Sequence, residues 1–216
     1  EYDDDHIPGA ISLPALTNEE RVKVGTIYKQ VSAFEAKKVG AALISRNIAN
    51  HIEQFFLDKP GGFRPLVYCW RGGQRSGIAM EWLGDPDVSR VQGGTKALRR
   101  FLMTSLESQV AQSDMLVVSG LTGCGKTDLL HALGEVVPQD VLALDLEGLA
   151  NHRGSAFGGF PAGQPSQQTF ENELAATVHL AAPRKTLIED EARFVGRVEV
   201  PEYIYTKAQL SPVIIL

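Results

Sequence analysis

Two glycine-rich loops carry the residue types that could do chemistry in this chain. The first runs from Cys69 to Ser76 as C-W-R-G-G-Q-R-S, and the second runs from Gly120 to Thr127 as G-L-T-G-C-G-K-T. The first loop places a thiol close to two arginines, and the second has the spacing of a phosphate-binding loop. Together they predict a protein that brings a reactive sulfur and a phosphorylated ligand to one task.

The first loop is predicted to be an anion-binding nest around a nucleophilic cysteine. A thiolate is a strong nucleophile only where its charge is stabilised, and backbone N–H groups at a helix start provide that stabilisation. The two glycines are expected to adopt positive φ angles, and a guanidinium to add a forked donor. The predicted catalytic residues are Cys69 and Arg75, and the predicted anion-binding residues are Arg71, Gly72, Gly73, Gln74 and Ser76. The alternative is a structural cysteine in a tight turn.

The spacing within the first loop leaves a second chemistry open. Five residues separate Cys69 from Arg75, and Ser76 follows, which is the C-x5-R-S spacing of cysteine phosphatases. A loop of this length suits a tetrahedral anion of phosphate size better than a bare sulfur. Tyr68 stands where a phosphatase usually has histidine, and no aspartate general acid is evident. A phosphatase is therefore the weaker hypothesis.

The second loop is predicted to hold phosphate groups. It follows the apolar run Met115 to Ser119 and precedes a predicted helix over 128–137, which is the context that the motif requires. The predicted phosphate-binding residues are Gly120, Thr122, Gly123, Cys124, Gly125, Lys126 and Thr127, with Cys124 as a small filler rather than a second nucleophile. Because such a nest recognises only the geometry of an oxyanion, ATP, GTP and other diphosphates all stay open as ligands.

A run of acidic residues predicts a metal-binding position near the second loop. The apolar run over 186–188 continues into E-D-E at 189–191, as in a Walker B strand. The predicted ligands of a Mg²⁺ ion are the Thr127 hydroxyl and Asp190, with Asp145 as the alternative carboxylate. Solvated carboxylates at a strand end are the non-functional interpretation.

The elements that must position these loops alternate between strands and helices. Apolar residues at helical spacing predict one long amphipathic helix over 34–57. Short apolar runs predict strands at 66–68, 88–91, 115–119, 141–146 and 186–189, and further helices are predicted near 75–83, 97–106, 128–137 and 166–180. This alternation predicts an α/β fold with parallel sheets in both halves. The polar stretch over 107–114 is the predicted boundary between a domain over 1–110 and a domain over 111–216.

Composition limits the classes of function. The hydrophobic content of 44% and charged content of 22% are ordinary for a soluble globular protein, and no apolar run reaches the ~20 residues of a membrane span. Two cysteines in glycine-rich loops make no disulfide framework, which favours a reducing cytoplasm. The net charge of -5 argues weakly against a nucleic-acid partner. The ends, D-D-D-H-I-P-G-A and V-I-I-L, indicate a fragment that lacks a first strand and part of the second domain.

Three motifs of the first half resemble those of the rhodanese superfamily. The run from Asp3 to Pro14 resembles its N-terminal signature, the Cys69 loop its active-site loop, and V-Q-G-G-T-K-A-L over 91–98 its C-terminal signature. The resemblance implies a rhodanese-like parallel-sheet domain, followed by a P-loop NTPase-like parallel α/β domain. It also implies that the cysteine carries sulfur or selenium, and that His6 is a scaffold residue rather than a base.

The order of the two domains resembles the tRNA 2-selenouridine synthases, which are selenophosphate-dependent tRNA 2-thiouridine selenotransferases. The resemblance covers nearly the whole chain. It includes E-G-L-A-N-H-R-G-S over 147–155, Q-P-S-Q-Q-T-F-E-N over 164–172 and E-D-E-A-R-F-V-G-R over 189–197. It implies replacement of sulfur by selenium at C2 of the wobble 2-thiouridine, with selenophosphate as donor and an S-geranylated intermediate made from geranyl diphosphate.

The same resemblance implies roles for residues and partners. Cys69 would be the selenium-carrying nucleophile, Arg71 to Ser76 the selenophosphate nest, and tRNA and a selenophosphate-supplying enzyme the partners. The basic residues that could form a local tRNA-binding surface are Lys96, Arg99, Arg100, Arg153, Arg184, Lys185, Arg193 and Arg197. Two other classes stay open: a rhodanese-type sulfurtransferase with a regulatory P-loop domain, and a nucleotide-dependent binding module without catalysis.

Overall fold

The chain folds into two compact units. A computed structural model describes residues 2, 6–84, 87–121, 123–153, 158–181 and 185–216, and at Gln74 it describes the backbone alone. One unit comprises Ala10–Leu98, and the other comprises Glu1–Gly9 with Arg99–Leu216. Helix α4, Gly94–Gln112, runs through the point of division. The polar stretch over 107–114, which the sequence predicted as the domain boundary, is therefore helical as far as Gln112.

The first unit begins with a pair of packed helices, α1 (Asn18–Gln30) and α2 (Ala33–His51). The Thr17 hydroxyl accepts a hydrogen bond from the Glu20 N–H while the Glu20 carboxylate accepts one from the Thr17 N–H, so a capping box starts α1. A π-helical turn, Ile52–Phe56, extends α2. The helix predicted over 34–57 is thus present as α2 and this turn.

A small parallel strand pair positions the first loop. Strand β1 (Leu66–Val67) pairs with β2 (Ser89–Arg90), and α3 (Gln74–Leu83) connects them. Because the two strands are parallel, the loops that follow them leave the same edge of the pair. The Cys69 loop therefore lies beside the start of α4.

The second unit is built on a parallel sheet with strand order β4-β5-β3-β8. Its strands are β3 (Met115–Ser119), β4 (Val141–Leu144), β5 (Lys185–Glu189) and β8 (Val213–Ile215). Its further helices are α5 (Lys126–Val136), α6 (Leu146–Leu149), α7 (Gln167–Ala181) and α8 (Glu202–Gln209). These elements confirm the α/β fold with parallel pairing in both halves. No helix among the described residues is long and apolar enough to cross a membrane.

Glutamine side chains bind the backbone of a short antiparallel hairpin of β6 (Phe194–Val195) and β7 (Val198–Glu199), Gln167 at Glu199 and Gln164 at the other strand. The Gln164 amide nitrogen donates to the backbone oxygens of Ala150 and Val195, at 3.1 and 2.8 Å. Its amide oxygen accepts from the Arg197 N–H at 2.8 Å. Gln164 therefore satisfies backbone groups that the hairpin and its neighbouring loop would otherwise leave unpaired.

The core of the second unit lies between the sheet and helices α4, α7 and α8. Phe170 and Leu174 of α7 are fully buried, together with Ile188 of β5 and Ile204 of α8. A polar contact fixes α4 against α7, because the Arg99 guanidinium donates to the Oδ1 atom of the buried Asn172 at 2.9 Å.

Replacement of the buried aromatic ring tests this description of the core. We expect Phe170→Ala to lower the free energy of unfolding by about 3–5 kcal/mol, because the lost ring leaves a cavity. Phe101→Ala on α4 is the matched control, and since Phe101 is 55% exposed its cost should be about 1 kcal/mol or less. Urea unfolding of both variants measures the difference, and equal losses would contradict the described packing.

Candidate functional site

Cys69 lies in the loop between β1 and the start of α3. Cys69 is half-buried, and its Sγ atom lies 3.3 Å from the Oγ atom of Ser76 in the first turn of the helix. Ser76 is 2% exposed, so little water competes for its hydroxyl group. The loop thus brings the thiol to the N-terminal end of α3, as the sequence predicted.

Two opposing effects act on the pKa of the Cys69 thiol. Burial raises the pKa, because it removes water from the charged form. Hydrogen bonds from the Ser76 hydroxyl and from the backbone of Ser76, Gly73 and Arg71 oppose this effect. The hydrogen bonds prevail, so the pKa of Cys69 lies below its ordinary value. The thiolate is therefore the favoured nucleophilic form nearer to neutral pH.

Glycines allow the loops after β1 and β2 to meet. Gly72 has φ +61°, and its N–H donates to the Cys69 carbonyl at 3.2 Å. The Thr95 N–H, at the start of α4, donates to the same carbonyl at 3.1 Å. A Cβ atom on Gly72 would overlap the backbone nitrogens of Gly93 and Gly94, and one on Gly94 would overlap the Cys69 carbonyl. Both positions therefore require glycine.

The other predicted members of the nest contribute unequally. Gly73 has φ -96°, so the prediction of a positive φ angle there is wrong, and Gly73 serves instead as the N-cap of α3. Arg71 acts on the thiol through its backbone, and the residue is exposed. Arg75 is half-buried in the first turn of α3, and its forked-donor role stays a prediction. The Gln74 side chain lies outside the described part of the molecule.

The second loop joins β3 to the start of α5. Gly123 and Gly125 have φ +79° and +88°, in the left-handed region that favours glycine, and Gly125 is the N-cap of α5. The Lys126 ammonium group donates to the carbonyls of Gly120 and Leu121, at 3.1 and 3.3 Å. Cys124 is exposed, with its sulfur close to Gly120. Thr122 lies outside the described residues.

The sequence-predicted carboxylates of the metal site have protein partners. Asp190 accepts a hydrogen bond from the Ser119 hydroxyl at 2.7 Å. Asp145 accepts one from the Gly148 N–H at 2.7 Å, as the N-cap of α6, and its other oxygen lies 2.7 Å from the Nε2 atom of His131. Neither aspartate lies in the group of carboxylates that the structure brings closest together.

That group consists of Glu147, Glu189 and Glu191, whose ligand atoms all lie within 4.8 Å of one another. Burial and the negative charges of Glu147 and Glu189 together raise the pKa of Glu191 to about 7, against the opposing charge of Lys126. Burial likewise raises the pKa values of Glu147 and Glu189. Sequence reasoning missed Glu147, although it follows β4, and the carboxyl ends of parallel strands meet at one edge of a sheet.

Several of the basic residues predicted to form a tRNA-binding surface make internal contacts. Arg99 pairs with Glu171, and Arg193 pairs with Glu199 at 2.7 Å. The Arg197 guanidinium donates to the Gln164 backbone oxygen. Arg193 and Arg197 are exposed despite these contacts, so the basic surface stays a prediction. Arg184 lies outside the described residues.

Comparison with known proteins gives consistent matches along the chain. A family model described as the tRNA 2-selenouridine synthase AAA domain matches residues 113–216. A relative named tRNA 2-selenouridine synthase from Pseudomonas putida (strain W619) is 42% identical over 96% of this chain and 57% of its own length. Relatives of the same name from Shewanella halifaxensis and Nitrosomonas europaea are each 38% identical, over 100% and 99% of this chain. The chain spans 59% and 56% of those two proteins.

One solved structure also matches. It is the N-terminal domain of a protein described as ATP/GTP binding, from Clostridium difficile 630, at 34% identity over 47% of this chain and 81% of that chain. The TM-score is 0.39, which is too low to establish a shared fold.

Removal of the Ser76 hydroxyl tests the stabilisation of the thiolate. We expect Ser76→Ala to raise the midpoint pH of Cys69 alkylation by about one pH unit, because the charged sulfur loses a donor. Iodoacetamide labelling across a pH series, read by mass spectrometry of the Cys69 peptide, measures this midpoint. Labelling of Cys124 in the same samples is the internal control and should not change. An unaltered Cys69 midpoint would show that Ser76 does not stabilise the thiolate.

Proposed function

Because the chain belongs to the tRNA 2-selenouridine synthase family, we propose that its protein replaces sulfur by selenium in the wobble 2-thiouridine of tRNA. Cys69 is the nucleophile toward selenophosphate, and the loop over 71–76 binds the donor's oxyanion. An S-geranylated nucleoside, made from geranyl diphosphate, is the proposed intermediate. The observation that carries this proposal is the identity of 38–42% with proteins of that name over nearly the whole chain.

The environment of Cys69 supports its role as the nucleophile. Backbone N–H groups and the Ser76 hydroxyl stabilise the thiolate. The strand–helix–strand order of β1, α3 and β2, with the Cys69 loop after β1, supports a rhodanese-like fold for a first domain over 1–110. The parallel sheet and glycine-rich loop of the other unit support a P-loop domain over 111–216.

The phosphorus product identifies the atom of selenophosphate that Cys69 attacks. If the sulfur attacks selenium, an S–Se bond forms, the P–Se bond breaks and its electron pair stays on phosphorus, which leaves as phosphite after protonation. If the sulfur attacks phosphorus, an S–P bond forms and selenium leaves as hydroselenide. Water then cleaves the S–P bond and releases phosphate. Phosphorus NMR of a single turnover separates these two routes.

The second loop is proposed to hold the diphosphate group of a second ligand. Geranyl diphosphate and a nucleotide share this group, and the backbone N–H groups before α5 recognise either through its oxyanions. The Lys126 ammonium group would exchange the carbonyls of Gly120 and Leu121 for phosphate oxygens. A bound Mg²⁺ would neutralise part of the ligand's charge, with Thr127 on its protein side.

Replacement of the nucleophile tests the selenium transfer. We expect Cys69→Ala in the full-length protein to abolish selenium incorporation into thiolated tRNA while tRNA binding stays largely intact. Mass spectrometry of tRNA nucleosides, after incubation with selenophosphate with and without geranyl diphosphate, is the measurement. A variant that still inserts selenium at the normal rate would rule out Cys69 as the nucleophile.

Two further assays separate the alternative functions. A sulfurtransferase would turn over thiosulfate without tRNA, and a phosphatase would release phosphate from an aryl phosphate. Cys124→Ala removes the other thiol of the chain and should retain any selenium or phosphoryl group that Cys69 carries. If Cys124→Ala carries no such group although Cys69 is present, the covalent step takes place at Cys124 rather than at Cys69.

Replacement of the loop lysine tests the second ligand. We expect Lys126→Ala to weaken diphosphate binding about 10- to 100-fold, which is the effect of losing a hydrogen bond to a charged group. Lys185→Ala, at the opposite end of β5, removes the same charge and is the matched control. Isothermal titration with ATP, GTP and geranyl diphosphate in turn identifies the ligand. If Lys126→Ala binds all three compounds as tightly as the parent protein, the loop does not bind phosphate groups through Lys126.

A further inference from the structure

Glu189 is a buried carboxylate whose oxygens find no well-formed hydrogen bond among the described residues. It lies at the end of β5 and is 2% exposed. Neither of its oxygens makes a hydrogen bond of good geometry within the described part of the chain, although the Thr127 hydroxyl is close enough to lower its pKa. A buried carboxylate is costly unless it is paired or coordinates a metal. Either a proton or a bound cation therefore neutralises it.

Two further glutamates point toward the same place. Glu147 comes from α6, after β4, and Glu191 comes from the chain just after β5. Their oxygens and those of Glu189 lie within 4.8 Å of one another, and both residues are half-buried. Three carboxylates from neighbouring strand ends thus converge around a carboxylate that has no described partner.

The charges near this cluster do not balance. Lys126 is the cation that acts on all three carboxylates, but its ammonium group donates to carbonyls of its own loop. The three carboxylates and this ammonium group leave two negative charges, which one divalent cation balances. Asp145 and Asp190 add negative charge nearby, while Arg153 acts on Glu147 alone. Shared protons are the competing explanation for three carboxylates at this distance.

We propose that Glu147, Glu189 and Glu191 form a binding site for one divalent cation, which they bind without a phosphorylated ligand. The carboxylate oxygens are hard ligands, which favour Mg²⁺ or Mn²⁺ over softer metals. Asp190, which the sequence favoured, is outside the site because its carboxylate binds Ser119. This inference deepens the proposed function, since the cation lies beside the loop that is proposed to hold the diphosphate.

Binding of Mn²⁺ to the full-length protein tests the site directly. The protein is titrated without nucleotide, geranyl diphosphate or tRNA, and electron paramagnetic resonance measures free Mn²⁺. We expect Glu147→Gln, Glu189→Gln and Glu191→Gln each to weaken binding about 10-fold or more, because each removes one charged ligand. Glutamine keeps the size of the side chain, and circular dichroism checks the fold. If Glu189→Gln does not fold, Mn²⁺ binding by Glu147→Gln and Glu191→Gln tests the site.

Asp190→Asn is the matched control, because it removes the same charge next to the site. We expect it to weaken Mn²⁺ binding by less than about fivefold, which is the size of a neighbouring-charge effect. The proposal is overturned if the parent protein binds no Mn²⁺, if the three glutamine variants bind it normally, or if Asp190→Asn alone abolishes binding. Selenium transfer does not enter the measurement, so this site and the proposed activity can fail separately.

Discussion

The pairing of β3 with β5 determines the position of the charged groups in the second unit. Val118 stands opposite Glu189, and the Asp190 N–H donates to the Val118 carbonyl at 2.9 Å. This register makes the glycine-rich loop after β3 and the acidic run after β5 leave the sheet side by side. Strand β4 on the far side of β5 brings Glu147 to the same edge. A shift of one residue would turn Glu189 to the other face of the sheet.

The Cys69 loop depends on a comparable contact between backbones rather than between charges. The Cys69 carbonyl accepts hydrogen bonds from the N–H groups of Gly72 and Thr95, and these bonds join the loops after β1 and β2. The curvature that results directs backbone N–H groups toward the sulfur. At the Cys69 loop, hydrogen-bond donors stabilise the thiolate. At the second loop, the carboxylates of Glu147, Glu189 and Glu191 lie close to Lys126. The two sites use different physical means to control charge.

The sequence predicted those features that depend on local spacing. The strands at the two loops, helices α2 and α7 and the left-handed glycine at Gly72 follow from apolar periodicity and glycine positions. Helix α1 was not predicted, because none of its residues is fully buried and only a few are apolar, although the T-N-E-E run of Thr17 to Glu20 is a capping box. The cluster around Glu189 could not be predicted from spacing, since Glu147 is distant in sequence and reaches it only through the order of the strands.

The hydrogen bonds of Lys126 to its own loop have a consequence for selectivity. The ammonium group donates to the carbonyls of Gly120 and Leu121, within the loop that contains it. An anion that bound there would gain only the difference between its own bonds and those that it displaced. A monatomic ion such as chloride would form fewer contacts to compensate for that displacement than an anion with several oxygens. If the loop binds anions, its own hydrogen bonds would therefore favour those that present several oxygens at once.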